Sequence, residues 1–182
     1  LTLIDATQAC GWLPLDARRF DFVVAGAYKW LLAPRGSAFM TVRRARLDAI
    51  VPAFANWFAG AERWGATLYG PPLRLPDDAR RLDLSPAWLS WVGTQPALEH
   101  VLALGVERIH AHDVALADRF RAGLGLEPGD SAIVAARIDD ALGALRRAGI
   151  RAAARAGALR VAFHLYNDAD DVDRALAALG RG

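Results

Sequence analysis

Lysine is almost absent from this chain: Lys29 stands alone beside twenty-one arginines. Cysteine and methionine occur once each, as Cys10 and Met40. A lone cysteine excludes an intrachain disulfide and fits a reducing compartment, so a cytoplasmic protein is expected. No apolar run approaches the roughly 20 residues of a membrane-spanning helix, and the first residues lack the basic-then-apolar layout of a secretion signal. No membrane partner is expected. Charge of one sign is also scarce, with a net of +2 and arginines interspersed among 20 acids. A nucleic-acid surface needs basic residues gathered on one face. Nothing here gathers them, and no nucleic-acid partner is expected.

Apolar residues are abundant. They make up 54% of the 182 residues against 23% charged, enough for a packed core in one ordinary domain or two small ones. "LTLIDATQ" reads as a buried strand followed by a loop carrying Asp5 and Gln8. It opens without an initiator Met, inside an apolar run with few partner strands to follow. The chain is therefore expected to be the C-terminal portion of a longer protein. "GWLPLDARRF" is a connector with a Pro turn and a short helical piece, "DFVVAGA" a second buried strand, and "SAFMTVR" a third. Residues 50–93, with tryptophans at 57, 64, 88 and 91, read as a long irregular region. A long helical stretch from "TQPALE" breaks near Gly105. A small α+β unit follows: strand "SAIVAARI", helix "DDALGALRRAGI" entered at an Asp cap, two strands around Gly157, and a capped final helix "DADDVDRALAALG".

The solitary lysine raises a chemical question. Arginine serves solubility and ion pairs equally well, but it stays protonated and cannot act as an amine nucleophile or form an imine. Lysine can. If the strands before Asp5 and Lys29 end on one edge of a parallel sheet, where open α/β sheets place their ligands, an acid, an amide and an amine meet in one crevice. Pyridoxal phosphate chemistry needs that set: an amine to hold the aldehyde, an acid to keep the pyridine nitrogen protonated, and an amide for the phenolic oxygen. Taken alone, Asp5 and Gln8 also suit the commoner task of capping backbone groups at a strand end.

The stretch "LIDATQACGWLPLDARRFDFVVAGAYKWLLAPRGSAFM" resembles the cofactor segment of class V aminotransferases, the fold-type-I pyridoxal phosphate enzymes that include cysteine desulfurases, selenocysteine lyases, kynureninases and isopenicillin epimerases. D-x-x-Q at 5–8, YK at 28–29 and PRG at 34–36 carry the likeness. "VGTQPALE" at 92–99 and "LRVAFHLYNDADDVD" at 159–173 extend it in order along the chain. The resemblance implies an α/β fold: the C-terminal part of the large-domain sheet over 1–93, then a small α+β domain over 94–182. It implies Lys29 as the Schiff-base lysine and proton shuttle, Asp5 against the pyridine nitrogen and Gln8 against the phenolic oxygen. Tyr28, at a place where many relatives carry His, is similar to the kynureninase branch, where the hydroxyl reaches the phosphate. Thr94 would meet the phosphate of the partner subunit's cofactor, implying a homodimer with shared sites, and Arg160 would hold the substrate carboxylate by its bidentate fork.

Simpler readings stand beside these roles. Thr94 suits a helix cap, Arg160 a solvated edge, Tyr28 packing, and Trp57 and Trp64 aromatic packing. Gly26 departs from the Ser that relatives often place there for the phosphate. The loop before Arg160, "RAGAL", lacks the cysteine that persulfide-forming desulfurases carry, which disfavours that relay. His110 and His112, two apart on a helix, point to different sides and make no chelating pair, and no metal site is expected. The expectation is a pyridoxal phosphate enzyme acting on an amino acid through a Cα carbanion, by elimination, transamination or epimerisation. The alternative is a truncated, non-catalytic piece that only dimerises.

Overall fold

The computed structural model describes residues 1–65 and 71–181. The part of the expected irregular region at 66–70 lies outside the described residues. The chain separates into two compact units, one of residues 1–10 and 15–101, the other of 11–14 and 102–182.

The first unit is built on a three-stranded sheet, β1 (Leu3–Asp5), β2 (Phe22–Gly26) and β3 (Ala38–Val42), in that order. β1 and β2 run parallel, with Leu3 opposite Phe22 and Asp5 opposite Val24. Both therefore end on one edge, as the sequence requires if Asp5 and Lys29 are to meet. β3 returns antiparallel, with Gly26 opposite Ala38. Alternate β2 residues Val23 and Ala25 are buried and pack with Ala6, Ile4, Leu15 and Phe20, the period-two pattern of a strand with one covered face. Behind the sheet's other end, Asp21 ties the chain together. Arg46 donates to it at 3.0 Å and the Thr2 amide at 2.9 Å. The Arg46 hydrogen bond leads in holding its carboxyl down at about 2. A short helix α1 (Arg44–Leu47) follows β3, and 3-10 turns at Trp57–Ala59 and Ala79–Leu82 are capped by Asn56 and Asp78. Trp57 and Trp64 pack edge to face at 5.5 Å.

Helix α2 (Trp88–Leu104) begins six residues before "TQPALE" and carries Pro96 inside it. A proline removes one helical hydrogen bond and usually marks a first turn, which is why the sequence points to a start near Thr94. Contacts of the preceding turn with the Pro34–Ser37 loop hold the earlier residues helical instead.

In the second unit, Gly105 at φ +85 separates α2 from α3 (Val106–Gly123). The sheet runs β4 (Ile133–Ala136), β6 (Ala158–Ala162), β5 (Ala153–Arg155), antiparallel throughout, with α4 (Ala141–Arg147) and α5 (Ala169–Ala178) between and after the strands. Ala156 and Gly157 both have positive φ, giving the two-residue turn that matches the twist of a hairpin. Phe120, Leu145, Val172, Leu116 and Phe163 form the core. Asp168 caps α5 by accepting from the Asp171 amide. Asp140 does not cap α4: it sits at φ +48 and pairs with Arg147 at 2.9 Å.

Candidate active site

The two parallel strand ends are bridged by one residue. The Thr7 amide donates to Asp5 Oδ1 at 2.9 Å, an Asx-type turn legible in the D-A-T order. The Thr7 hydroxyl accepts from the Gly26 amide at 3.0 Å, so the loop after β1 is pinned to the end of β2. The Thr7 side-chain and backbone hydrogen bonds hold the Asp5 carboxyl below the usual range, and the positive charge of Lys29 lowers it further. Asp5 is exposed and anionic, and it lies within electrostatic reach of the only lysine.

Lys29 is half-buried, in a loop fastened by several backbone bonds. Leu32 donates to the Lys29 carbonyl at 3.0 Å, Ala33 to Ala27 at 3.0 Å and Ala27 to Ser37 at 3.1 Å. Trp30 and Leu31 are buried beside it. Among the described residues the Lys29 amine makes no hydrogen bond and no ion pair. Its nearest described ring is Tyr28, with Nζ 5.6 Å from the centroid. Gln8 Oε1 accepts from the Trp30 indole at 3.3 Å, tying the loop after β1 to the lysine loop.

Tyr28 lies over Gly26. A Cβ at Gly26 would stand 3.0 Å from Tyr28 Cε1 and 3.4 Å from Thr7 Cγ2. The glycine that departs from the usual serine thus makes room for the tyrosine ring. Arg35, in the PRG segment, covers the same ring with its guanidinium 4.4 Å from the centroid. The sequence drew attention to PRG but gave Arg35 no role, because nothing in its spacing says that residue 35 returns to residue 28.

Thr94 is fully buried, and its hydroxyl donates to the Ser90 carbonyl at 2.7 Å while sharing a 2.7 Å bond with the Ser37 hydroxyl. Ser90 Oγ donates to the Arg35 carbonyl at 2.6 Å, and Gly93 admits Pro34 so closely that a Cβ there would stand 2.6 Å from Pro34 Cγ. One face of α2 thereby grips the loop that follows Lys29. This use of the Thr94 hydroxyl differs from the phosphate contact that the family likeness implies.

In the second unit, Arg160 lies in the middle of the central strand β6, opposite Ala135 and Ala153. It is half-buried, and its guanidinium makes no hydrogen bond or ion pair among the described residues. His110 stacks on Trp12 at 5.7 Å, His112 Nε2 lies 3.0 Å from the Asn167 carbonyl, and His164 stacks on Tyr166 at 4.7 Å. No group of three metal-ligating side chains occurs among the described residues, and no described helix is long and apolar enough to cross a membrane.

Comparison with known proteins decides the family. The sequence profile "Aminotransferase class-V" matches residues 1–134. The chain belongs to the class-V aminotransferase family. It is 30% identical over 97% of its length to the uncharacterized aminotransferase YcbU of Bacillus subtilis (strain 168), of which it covers 50%. It is 31% identical to the isopenicillin N epimerase of Streptomyces clavuligerus, with 70% of this chain and 33% of that protein covered. Among solved structures, the fold matches the apo cysteine desulfurase from Thermococcus onnurineus NA1, with a TM-score of 0.81 at 18% identity, covering 97% of this chain and 51% of that one. It also matches a C-DES mutant with glycine covalently linked to the PLP cofactor, with a TM-score of 0.82 at 20% identity, covering 94% and 49%. The chain thus has the α/β fold of these enzymes and spans about half the length of YcbU and a third of the epimerase.

Proposed function

We propose that the protein is a pyridoxal phosphate-dependent enzyme acting on an amino acid, with Lys29 as its covalent anchor and proton carrier. The donor set fits the cofactor. An uncommitted amine stands within electrostatic reach of a carboxylate kept anionic, and an aromatic hydroxyl group lies on the same loop over a glycine. When bound, the cofactor supplies an electron-accepting ring that stabilises negative charge at the substrate Cα.

The remaining work falls to the chain's own groups. Lys29 would hold the cofactor by its aldehyde and would take or return the proton at the substrate Cα. Asp5 retains its negative charge through Thr7 and keeps the pyridine nitrogen protonated. Gln8, fixed by Trp30, turns its amide toward the phenolic oxygen. Tyr28 offers its hydroxyl to the phosphate. Arg160, a guanidinium with no other partner among the described residues, takes the substrate α-carboxylate as a bidentate pair. The Thr94 contact with the phosphate of the partner subunit's cofactor draws the least support, since its hydroxyl is buried and bonded to Ser90 and Ser37. We assign Thr94 to holding the lysine loop. The proposed assembly is a kynureninase-like or desulfurase-like homodimer in the cytoplasm, with no nucleic-acid or membrane partner.

One observation carries this reading: the only lysine has an amine with no hydrogen bond or ion pair among the described residues, and its charge reaches the acid at the tip of the adjacent parallel strand. Addition of pyridoxal phosphate to the protein is expected to produce a visible absorbance band that Lys29→Ala abolishes. A band of equal strength in the variant would overturn the assignment. The half-length match favours a second reading, in which the 182-residue chain alone dimerises without holding the cofactor. Titration of that chain with pyridoxal phosphate separates the two.

A further inference from the structure

We infer that Arg35 is a phosphate-anchoring residue, paired with Tyr28, that replaces the hydroxyl missing at Gly26. The inference rests on the reading of Lys29 as the cofactor anchor and goes beyond it. Three observations converge on one spot at the end of β2. A Cβ at Gly26 would stand 3.0 Å from the Tyr28 ring, so a hydroxyl-bearing residue there crowds the ring where it now lies. The Arg35 guanidinium lies 4.4 Å from the ring centroid and the Lys29 amine 5.6 Å from it, which gathers two cations around one phenol. Among the described residues Arg35 makes no ion pair, while the charge of Lys29 acts on the Asp5 carboxylate.

A guanidinium without a counter-ion, set beside a second cation, is a ready site for an anion, since opposite charges attract at short range. The cofactor expected here carries one group of suitable charge, a phosphomonoester dianion. A guanidinium matches phosphate geometry with two parallel N–H donors, and stacking on an aromatic face leaves that edge free to donate. The guanidinium is also well placed to keep its position. The Arg35 carbonyl is held by Ser90 Oγ at 2.6 Å, and the next residue, Gly36, adopts φ +113, a conformation that glycine takes at little strain. Tyr28 and Arg35 thus form a single unit in which the ring orients the guanidinium and both present donors to the same anion.

The test compares two aldehydes that differ only in the phosphate. Affinities of the protein for pyridoxal phosphate and for pyridoxal are measured by absorbance titration, for the wild type, Arg35→Gln and Arg35→Lys. Arg35→Gln is expected to weaken pyridoxal phosphate by about ten- to a hundredfold, the range for loss of a charge-assisted contact, and to leave pyridoxal unchanged. Arg35→Lys keeps the charge without the fork and is expected to fall between. Inorganic phosphate should compete with pyridoxal phosphate more weakly in Arg35→Gln than in the wild type. Equal weakening of both aldehydes in a variant with an unchanged thermal midpoint would make Arg35 a packing residue and overturn the inference, as would no weakening of either. If the wild type binds neither aldehyde, the Lys29 reading fails and the inference with it. If it binds both and only the phosphate discrimination is insensitive to Arg35, the inference fails alone.

Discussion

Asp113 shows how one residue can set a pH dependence that no motif announces. On α3 the buried positions Ile109, Leu116, Ala117 and Phe120 recur at helical spacing, and Asp113 occupies a place in that same stripe. It is fully buried, and neither of its oxygens has a hydrogen-bond partner among the described residues. Desolvation raises its pKa to about 7. The sign of the consequence follows. Below its ordinary value of 3.8 the acid is neutral in both states and costs nothing extra. As pH rises from there through about 7, the unfolded chain releases the proton that the folded chain retains, so stability falls. The slope is about 1.4 kcal/mol per pH unit where the two states differ by a full proton. Asp113→Asn is therefore expected to flatten the decline in unfolding free energy between about pH 4 and pH 7 relative to the wild type. Denaturant unfolding across that range checks it, and parallel curves for the two proteins would show that the carboxylate is solvated. Nothing in the order of residues marks this group, because an acid in an apolar stripe looks the same as one turned to water. That Asp5 and Lys29 come near each other was legible for the opposite reason: residue type and strand ends can be read from one dimension.

At the scale of elements, most strands and helices followed from their periodicity. β1, β2, the hairpin of β5 and β6 around Gly157, and the break at Gly105 lie where the sequence points. The differences come from contacts distant in sequence. α2 extends back to Trp88 because Ser90, Gly93 and Thr94 grip residues 34–37, more than 50 positions away, and that grip outweighs the local signal of Pro96. The long-range bond between Ser37 and Thr94 likewise could not be read from "VGTQ" alone. A buried hydroxyl pair loses both partners' satisfaction when one is removed, at a cost of about 1–3 kcal/mol. Thr94→Val keeps the shape and removes the hydroxyl, leaving Ser37 without its side-chain partner. It is expected to lower stability by about that amount and to weaken binding of pyridoxal and pyridoxal phosphate alike, since the lysine loop loosens as a whole. Thermal melts and the same absorbance titrations measure both. A selective loss of the phosphorylated aldehyde would instead return Thr94 to the phosphate.

At the scale of the whole molecule, exposed apolar residues occur along much of the chain, and two of the most exposed share one face of α2. On α2, Leu89 is 88% exposed and Val92 73% exposed, three residues apart and therefore neighbours on one helical face. A monomer gains nothing from presenting two aliphatic side chains side by side to water. Burying them is worth about 1.5–3 kcal/mol each, enough to shift an association equilibrium by orders of magnitude. The opposite face of the same helix grips the lysine loop through Ser90 and Thr94. A homodimer that covers Leu89 and Val92 would therefore brace the loop from behind, linking assembly to the position of Lys29 without placing any residue of α2 on the cofactor. The wild type is expected to sediment as a dimer and the double variant Leu89→Arg, Val92→Arg as a monomer. That monomer is expected to bind pyridoxal phosphate more weakly while retaining its far-ultraviolet circular dichroism. A variant that remains dimeric would place the interface elsewhere, and a monomer with undiminished affinity would separate assembly from the lysine loop.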